Sequence, residues 1–493
     1  MSGVVASVAA PKPNRSADWG GKAVMVFALA VLMAIPGAFV FALVTDREHR
    51  ADTVTEQVSS LQGGPQQILG PLMIVPYSIP APPPQPGTNN PPADPTTGWY
   101  VISPEQGQTR ISVHADSRQL GIFKVPVYSA QADIQARFNP VSRQLDLPSN
   151  ATVDWSQAQI VMGMTDLRGA KSDIAGVFTD AAGTANLNFR PASGLDLGSP
   201  KTPPTVDSRA TPETQAQFGL VIAPAAALVS SAGGGVFHVT LHFTGAERLS
   251  VMPFAKSTVV QASGDWAAPS FDGAFLPDPR PTTTATTFSA QWSVPFIARG
   301  LSDQGATGAL SLETLGAKDV GVTFVPANNP YTNVIRALKY AVMFVGLVFL
   351  TFFVFEALSG KRLHPAQYLM IGVAQMVFYL LLLSLSEYIG FDLSFALSAV
   401  ATVGLIGLYA GAAFKSRAYQ FQALGIFSVV YGLIYLLMSL EDFALLAGSL
   451  ASFVGLSLAM YLTRNIDWYG GKAGPAATAP LPPEPQPAAP AAA

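Results

Sequence analysis

The chain has 493 residues, of which 49% are hydrophobic and only 12% are charged, about half the charged share of an average soluble domain. Its net charge of −3 argues against nucleic-acid partners, which usually require a strongly basic patch. The sequence contains no cysteine, which excludes disulfides, thiolate metal sites and thiol nucleophiles. This composition indicates a membrane protein.

Six segments are long and apolar enough to cross the roughly 30 Å of hydrocarbon in a bilayer, which takes about 20 helical residues. The first is 24–44. The second, at about 337–358, has a shorter uncharged core, but Arg336 and Lys339 can extend their charged ends toward the headgroups. The remaining four lie at about 366–386, 393–414, 418–440 and 443–463. This pattern predicts a membrane α-helical bundle of six spans, with the first acting as a separate anchor.

The charges in the short loops predict orientation, because Lys and Arg beside a span stay on the cytoplasmic side. Basic residues follow the second, fourth and sixth spans, whereas the third and fifth are followed by acidic residues only. We therefore expect a cytoplasmic segment (1–23), a periplasmic domain (45–335) and a disordered, cytoplasmic Pro/Ala tail (470–493). The first span could instead be a signal peptide cleaved near Ala42, but its uncharged run exceeds the roughly 7–15 residues usual for one.

The predicted periplasmic domain begins with a short helical stretch. Apolar residues at helical spacing, the last of them Leu61, predict that the anchor helix continues beyond the membrane. The sequence Gly63-Gly64-Pro65 ends that helix, and 68–77 predicts a strand. The Pro-rich stretch 80–97 predicts a surface loop, because proline cannot sustain a hydrogen-bonded ladder.

Most of this domain follows the two-residue period of β-strands. In 236–243, four apolar residues fall on one face and polar residues, among them His238 and His242, on the other. Weaker versions of the pattern occupy 134–138, 160–164, 284–292 and 320–325. We therefore predict a large all-β, antiparallel, sandwich-like domain inserted between span 1 and span 2.

Six strings with polar landmarks occur along the chain. In the predicted periplasmic domain they are 64–71 (GPQQILGP), 166–169 (DLRG) and 269–277 (PSFDGAFLP). At the membrane they are 362–368 (RLHPAQY), 378–387 (FYLLLLSLSE) and 463–469 (TRNIDWY). Together they resemble the CreD family of bacterial inner-membrane cell-envelope integrity proteins. The resemblance implies a role in envelope integrity and in the envelope-stress response, under two-component regulation, but no reaction and no catalytic residue.

Polar groups near the membrane are candidate functional residues, because they are costly inside a bilayer. Glu356 closes the apolar run of the second span, and the simplest interpretation pairs it with Lys361 or Arg362 near interfacial water. Further candidates at the membrane faces are His364, Glu387, Arg464 and Asp467. The interiors of spans three to six lack charge, which argues against a proton-coupled carrier.

The predicted periplasmic domain offers weaker candidates. Asp166 and Arg168 could form a ligand-binding corner, or a turn with an exposed ion pair. His238 and His242 would share a metal on a helix, but on a strand they lie about 13 Å apart, so we expect no metal site. The glycines at 233–235 predict a turn rather than a phosphate loop, since no Lys-Ser/Thr pair follows.

We therefore expect a protein that is not an enzyme and has no cofactor, catalytic residue or metal. Its periplasmic β-domain would act as a binding module, held by the bundle in the inner membrane. Expected partners are the lipid bilayer and an envelope protein, lipid or cell-wall component that the sequence does not identify. Two alternatives stay open: a transporter or lipid/solute exporter, and a receptor for a periplasmic signal.

Overall fold

The computed structural model describes residues 19–81, 95–192, 195, 197, 218–307, 310–324, 330–439 and 444–464. The chain divides into two compact units. A helical unit comprises residues 1–46 and 330–493, and a β-rich unit comprises residues 47–329.

The described residues form eleven α-helices. They are α1 (Trp19–Leu32), α2 (Ala34–Leu61), α3 (Ala226–Ser230), α4 (Phe296–Arg299), α5 (Leu312–Gly316), α6 (Pro330–Lys339), α7 (Ala341–Ser359), α8 (Pro365–Ile389), α9 (Phe391–Phe414), α10 (Arg417–Ser439) and α11 (Ala444–Thr463).

Eighteen β-strands lie within the described part of the chain. They are β1 (Gln66–Ile79), β2 (Thr96–Ile102), β3 (Gln106–Leu120), β4 (Phe123–Phe138), β5 (Thr152–Val153), β6 (Gln159–Met164), β7 (Ala175–Asp180), β8 (Gly183–Asn188), β9 (Arg190–Pro191), β10 (Gly219–Pro224), β11 (Gly235–Ala246), β12 (Arg248–Val251), β13 (Ser257–Gly264), β14 (Pro269–Gly273), β15 (Thr282–Thr283), β16 (Phe288–Val294), β17 (Gln304–Ala306) and β18 (Val320–Phe324).

Five helical segments in the described ranges are long and apolar enough to cross a membrane: Trp19–Leu61, Ala341–Ser359, Pro365–Ile389, Phe391–Phe414 and Arg417–Met438. They coincide with the first five predicted spans. The sixth predicted span, 443–463, falls on α11, whose apolar stretch over the described residues runs only from Gly448 to Leu458.

The first of these segments is interrupted at Met33, between α1 and α2. Pro36 has no amide hydrogen, so the carbonyl of Leu32 loses its usual donor four residues ahead. The ladder resumes at once, since the Gly37 amide donates to the Met33 carbonyl at 3.1 Å. Helix α2 then continues to Leu61, as predicted, and two glycines with positive φ, Gly63 and Gly64, follow it.

The second predicted span consists of two helices. Helix α6 is amphipathic and buries one face, with Tyr331, Val334 and Leu338. A turn at Tyr340 separates it from the apolar helix α7. The charged residues Arg336 and Lys339 therefore belong to α6 rather than to the apolar helix.

Helices of the bundle approach closely where glycines face large side chains. The Leu424 side chain of α10 lies directly over Gly407 of α9, and Gln420 lies over Gly411 in the same way. The rings of Phe352 of α7 and Phe427 of α10 stack with their centroids 5.9 Å apart. Such close packing is the main attraction between helices in a bilayer, where burial from water contributes little.

The β-rich unit is built from two sheets. The larger runs in the order β14-β18-β12-β1-β6-β10-β9, with β2, β5 and β17 joined at the side of β1. The other runs in the order β15-β16-β13-β3-β4-β11-β7-β8. Buried residues from both sheets, such as Ile68 of β1 and Phe237 of β11, belong to one hydrophobic core. The unit is thus a β-sandwich, as predicted.

The prediction of a purely antiparallel domain is wrong in two places. Strand β1 pairs with β12 in parallel, and β13 pairs with β3 in parallel. Parallel neighbours need a long crossover connection, and a period of two residues carries no information about strand direction. Short helices α3 to α5 also interrupt the strands, so the unit is not all-β.

The predictions of individual strands agree with the structure better than the prediction of an all-β, antiparallel domain does. In β11, the side chains of 237–243 alternate between buried and exposed as predicted. The predicted strand at 284–292 begins only at Phe288, because Thr284 and Thr287 close a turn by a backbone hydrogen bond of 2.8 Å. Most of the predicted loop 80–97 lies outside the described residues.

Candidate functional site

A buried ion pair lies in the helical unit at Glu356. The carboxylate is fully buried near the end of α7 and pairs with the ammonium of Lys22 from α1. The Tyr368 hydroxyl of α8 donates to Glu356 Oε2 at 3.0 Å. Lys22 also donates to the carbonyl of Leu363 at 3.0 Å. This cluster of Lys22, Glu356 and Tyr368, here called the buried charge cluster, joins three helices.

The connection between α7 and α8 brings Tyr368 back to Glu356. Gly360 has φ 65° and ends α7 in the left-handed conformation that glycine adopts without cost. His364 then caps α8: its Nδ1 accepts from the Ala366 amide at 3.2 Å, while Gln367 Oε1 accepts from the His364 amide at 2.8 Å. The exposed His364 thus contributes to starting a helix.

The expected pairing of Glu356 with Lys361 or Arg362 is wrong. Lys361 instead donates to the carbonyl oxygen of Phe414, at the end of α9. Local sequence could not reveal the true partner, because Lys22 lies 334 residues away from Glu356. The sequence of α1 contains one clue to this partner, because Lys22 is the only charged residue of that otherwise apolar helix.

The other candidates at the membrane faces do not join this cluster. Glu387 accepts a hydrogen bond from the Tyr331 hydroxyl at 3.0 Å, linking α8 to α6. Arg464 is exposed, with its guanidinium 4.0 Å from the centre of the Tyr461 ring. Asp467 lies outside the described residues.

In the β-rich unit, a polar network centres on Arg248 of β12. Its guanidinium donates to Asp272 Oδ1 at 2.9 Å and to Asp319 Oδ2 at 2.8 Å. Burial opposes the charge, but the hydrogen bonds that Arg248 donates to both carboxylates raise its pKa above the usual value. The Gln67 side chain donates to the same Asp319 oxygen at 2.7 Å. The strand order β14-β18-β12-β1 brings these residues together: Asp272 lies on β14, Asp319 directly before β18, Arg248 on β12 and Gln67 on β1.

Gln66, the neighbour of Gln67, holds the turn that contains Asp166. Its buried amide donates to the Gly63 carbonyl at 2.6 Å and to the Asp166 carbonyl at 3.1 Å. Three of the strings that stood out in the sequence, 64–71, 166–169 and 269–277, therefore meet around β1 and its neighbours. Their polar residues join strands and turns.

Asp166 and Arg168 form the exposed ion pair of a turn. The Arg168 guanidinium donates to Asp166 Oδ2 at 2.6 and 2.8 Å, and Asp166 Oδ1 accepts from the Arg168 amide at 2.9 Å. Partial burial works against ionisation of Asp166, but the hydrogen bonds from Arg168 lower its pKa. Both acceptor oxygens are thus engaged within the turn.

The two histidines lie on β11, on the strand predicted for them. His238 pairs across the ladder with Gln135 and His242 with Gln131. Both side chains are exposed. Within the described residues no group of three or more His, Asp or Glu side chains could hold a metal.

A groove of about 710 Å³ opens beside β1 and β2 in the β-rich unit. Its lining combines two aromatic side chains with several polar ones, namely Tyr77, Trp99, Ser78, Thr97, Thr152, Asp154 and Thr307. Tyr77 lies opposite Gly98 in the ladder, and a Cβ at Gly98 would overlap the Tyr77 hydroxyl. This glycine lets the tyrosine ring lie flat against the neighbouring strand.

Sequence reasoning missed this groove and the network around Arg248. Both depend on which strands become neighbours, and the sequence does not reveal strand order. The adjacent aromatic residues Trp99 and Tyr100, which follow the predicted Pro-rich loop, were a weak signal. Tyr368 of the buried charge cluster was part of a string that stood out, but its contact with Glu356 was not predicted.

Apolar helices and a two-sheet unit define the class: a membrane protein with several spans that carries a large β-sandwich domain. The family described as "Inner membrane protein CreD" matches residues 19–469. The chain therefore belongs to the CreD family. The inner membrane protein CreD of Escherichia coli (strain K12) is 28% identical over 466 residues, which cover 91% of this chain and 93% of that protein.

We expect Lys22→Met to lower the free energy of unfolding by about 3–5 kcal/mol, because it leaves a buried carboxylate without its counter-charge. The double variant Lys22→Met/Glu356→Met should recover most of this loss, since an apolar pair of similar volume often replaces a buried ion pair well. Thermal unfolding of the full chain in detergent measures both effects.

Lys361→Met is the matched control, because Lys361 contacts a carbonyl and has no carboxylate partner in the described ranges. It should change stability by no more than about 1 kcal/mol. Equal losses in Lys22→Met and in the double variant would show that the side chain of Lys22, and not its charge, is what stabilises the bundle.

Proposed function

We propose that the chain is an inner-membrane anchor for a periplasmic binding module that supports envelope integrity and the envelope-stress response. The observation that carries this proposal is the 710 Å³ groove beside β1 and β2. Its volume lies within the roughly 300–1,000 Å³ usual for ligand sites. The groove combines two aromatic walls, Tyr77 and Trp99, with a few polar groups, the arrangement that fixes ligand orientation in such sites.

The groove walls are held before any ligand arrives. Tyr77 is confined by Gly98, and both belong to a ladder of seven paired residues between β1 and β2. Trp99 is half-buried and packs against the core of the sandwich. A preformed site lowers the entropy cost of binding, since fewer side chains must be ordered. An envelope protein, lipid or cell-wall component with apolar and hydrogen-bonding groups would suit this surface.

The proposed topology has six spans, both termini in the cytoplasm and the β-sandwich in the periplasm. The distribution of charges supports it: Lys361 and Arg362 follow α7, and Lys415 and Arg417 separate α9 from α10. The loop between α8 and α9 has no basic residue. Because basic loops remain on the cytoplasmic side, this distribution supports a periplasmic location for the segment before α6.

A second candidate function is transport of a polar solute or a lipid. Two buried polar atoms in the helical unit, Gln375 Oε1 of α8 and Ser398 Oγ of α9, have no hydrogen-bond partner among the described residues. An unsatisfied buried polar group costs about 1–3 kcal/mol, so such groups often meet water or a ligand. Tyr431 of α10 lies beside Gln375. These three residues would mark the path of a transported solute.

The binding module is tested by introducing a photo-crosslinking amino acid at Thr97, an exposed position in the groove, in living cells. We expect one envelope component to be captured there and not from Gln119, an exposed position in the β3–β4 hairpin. Trp99→Ala should decrease the yield about tenfold or more, because a buried aromatic anchor commonly contributes about 2 kcal/mol to binding.

Trp99→Ala should also fail to restore detergent resistance to cells that lack the gene. Leu276→Ala is the control, because this side chain is 79% exposed and lies outside the groove. A crosslink whose yield is the same with and without Trp99 would contradict the proposed binding site.

The topology is tested with single cysteines, which are unique thiols because the chain has none of its own. In spheroplasts, a membrane-impermeant maleimide should label Gln119→Cys but neither Arg417→Cys nor Lys472→Cys. Lysis should expose the latter two. Labelling of Lys472→Cys in intact spheroplasts would put the end of the chain outside and argue for five spans instead of six.

The two candidate functions separate in a flux assay on sealed vesicles. Under the first proposal, vesicles with the protein should show no more proton or solute flux than empty vesicles. A flux that is lost in Gln375→Leu or Glu356→Gln but retained in Lys361→Met would favour the transporter.

A further inference from the structure

An apolar groove runs along the N-terminal helix on the outside of the helical unit. It has a volume of about 310 Å³, at the lower end of the range for ligand sites. One wall is formed by small residues of α1 and α2, including Ala34, Gly37 and Ala38, and the other by Val342 and Val345 of α7. The lining is hydrocarbon apart from Lys339 at the end of α6.

The groove exists because the residues beside the interruption at Met33 have small side chains. Ala30, Ala34 and Ala38 follow each other at intervals of four residues, so they line one face of the helix. Met33, between α1 and α2, points its thioether toward Gly372 of α8 and holds the helix against the bundle. The small residues beside it leave the space unfilled.

The location and the charge of Lys339 together indicate the occupant. Lys339 is exposed, and no carboxylate pairs with it in the part of the chain that the structure describes. The groove itself lies between helices that are apolar enough to cross a membrane. A molecule that fits must combine a hydrocarbon chain with an anionic group at one end of that hydrocarbon chain.

We propose that this groove binds one acyl chain of an anionic phospholipid whose phosphate pairs with Lys339. The hydrocarbon chain would pack against the alanines of α1 and α2, where every contact is apolar. A basic residue near the membrane surface attracts anionic lipid by about 1 kcal/mol. Lys339 would therefore select among headgroups, and the groove would hold the chain.

A second groove in the same unit provides an internal comparison. It lies between α9 and α10, has a volume of about 640 Å³ and is also lined mainly by apolar residues, among them Ala396, Val400 and Leu424. Its polar end carries Asp392, whose carboxylate accepts from the Tyr435 hydroxyl at 3.1 Å. A carboxylate repels an anionic headgroup, so this groove should show no such preference.

The test is native mass spectrometry of the full chain, titrated separately with phosphatidylglycerol and with phosphatidylcholine of the same acyl chains. We expect one phosphatidylglycerol to bind more tightly than the others, with a preference over phosphatidylcholine of about fivefold, which corresponds to ~1 kcal/mol. Lys339→Gln should abolish the preference, and Lys339→Arg should keep it.

Two variants, each of which replaces an alanine by phenylalanine, test which groove holds the acyl chain of the lipid. Ala34→Phe fills the proposed groove and should remove the tight lipid, whereas Ala396→Phe fills the other groove and should leave it bound. Both alanines are exposed, and thermal unfolding of each variant verifies that it is folded. A preference that survives Lys339→Gln, or a tight lipid lost in Ala396→Phe rather than in Ala34→Phe, would overturn the proposal.

Discussion

The arrangement of the helical unit depends on the neutralisation of one buried charge. Glu356 has no exposed surface, and it is compensated by Lys22 and by the Tyr368 hydroxyl. An isolated carboxylate in a medium of low dielectric constant would be costly. The N-terminal helix therefore contributes more than an anchor, because it brings the ammonium that lets α7 keep its carboxylate. Association of α1 with α7 and α8 follows from the same contact.

Around this ion pair the helices associate mainly through close packing of their side chains. Rings of Trp19 and Phe353 meet edge to face at 5.8 Å, and Tyr368 meets Phe349 at 5.7 Å. In a bilayer, helices gain little from leaving lipid, so such packing and interhelical hydrogen bonds must supply the attraction. One face of the N-terminal helix makes both contacts, because Lys22 and Met33 lie about three helical turns apart: Lys22 reaches Glu356, and Met33 reaches Gly372 further along.

Much of the fold could be predicted from local patterns, and the failures share one cause. Five apolar spans, the helix ending at Leu61 and the alternating strand β11 all express periodicities within a few turns of chain. The parallel pair of β1 and β12, the groove beside Trp99 and the partner of Glu356 depend on residues far apart in sequence. Hydropathy and residue spacing carry no information about such long-range pairs. The nearest opposite charge, Lys361, was therefore a reasonable but wrong partner for Glu356.

Polar groups with a structural role differ from candidate functional ones in whether their hydrogen bonds are completed within the protein. The strings at 64–71, 166–169 and 269–277 contain polar landmarks, yet these side chains are satisfied within the protein: Gln66 holds a turn, and Asp272 shares Arg248 with Asp319. A group whose hydrogen bonds are complete within the protein has little left to offer a ligand. Binding is better sought where polar groups stay open beside apolar walls. Thr307 beside Trp99 meets that condition in the described part of the β-sandwich, as does Oδ2 of Asp154, whose Oδ1 accepts from Ser156. Lys339 meets it at the membrane.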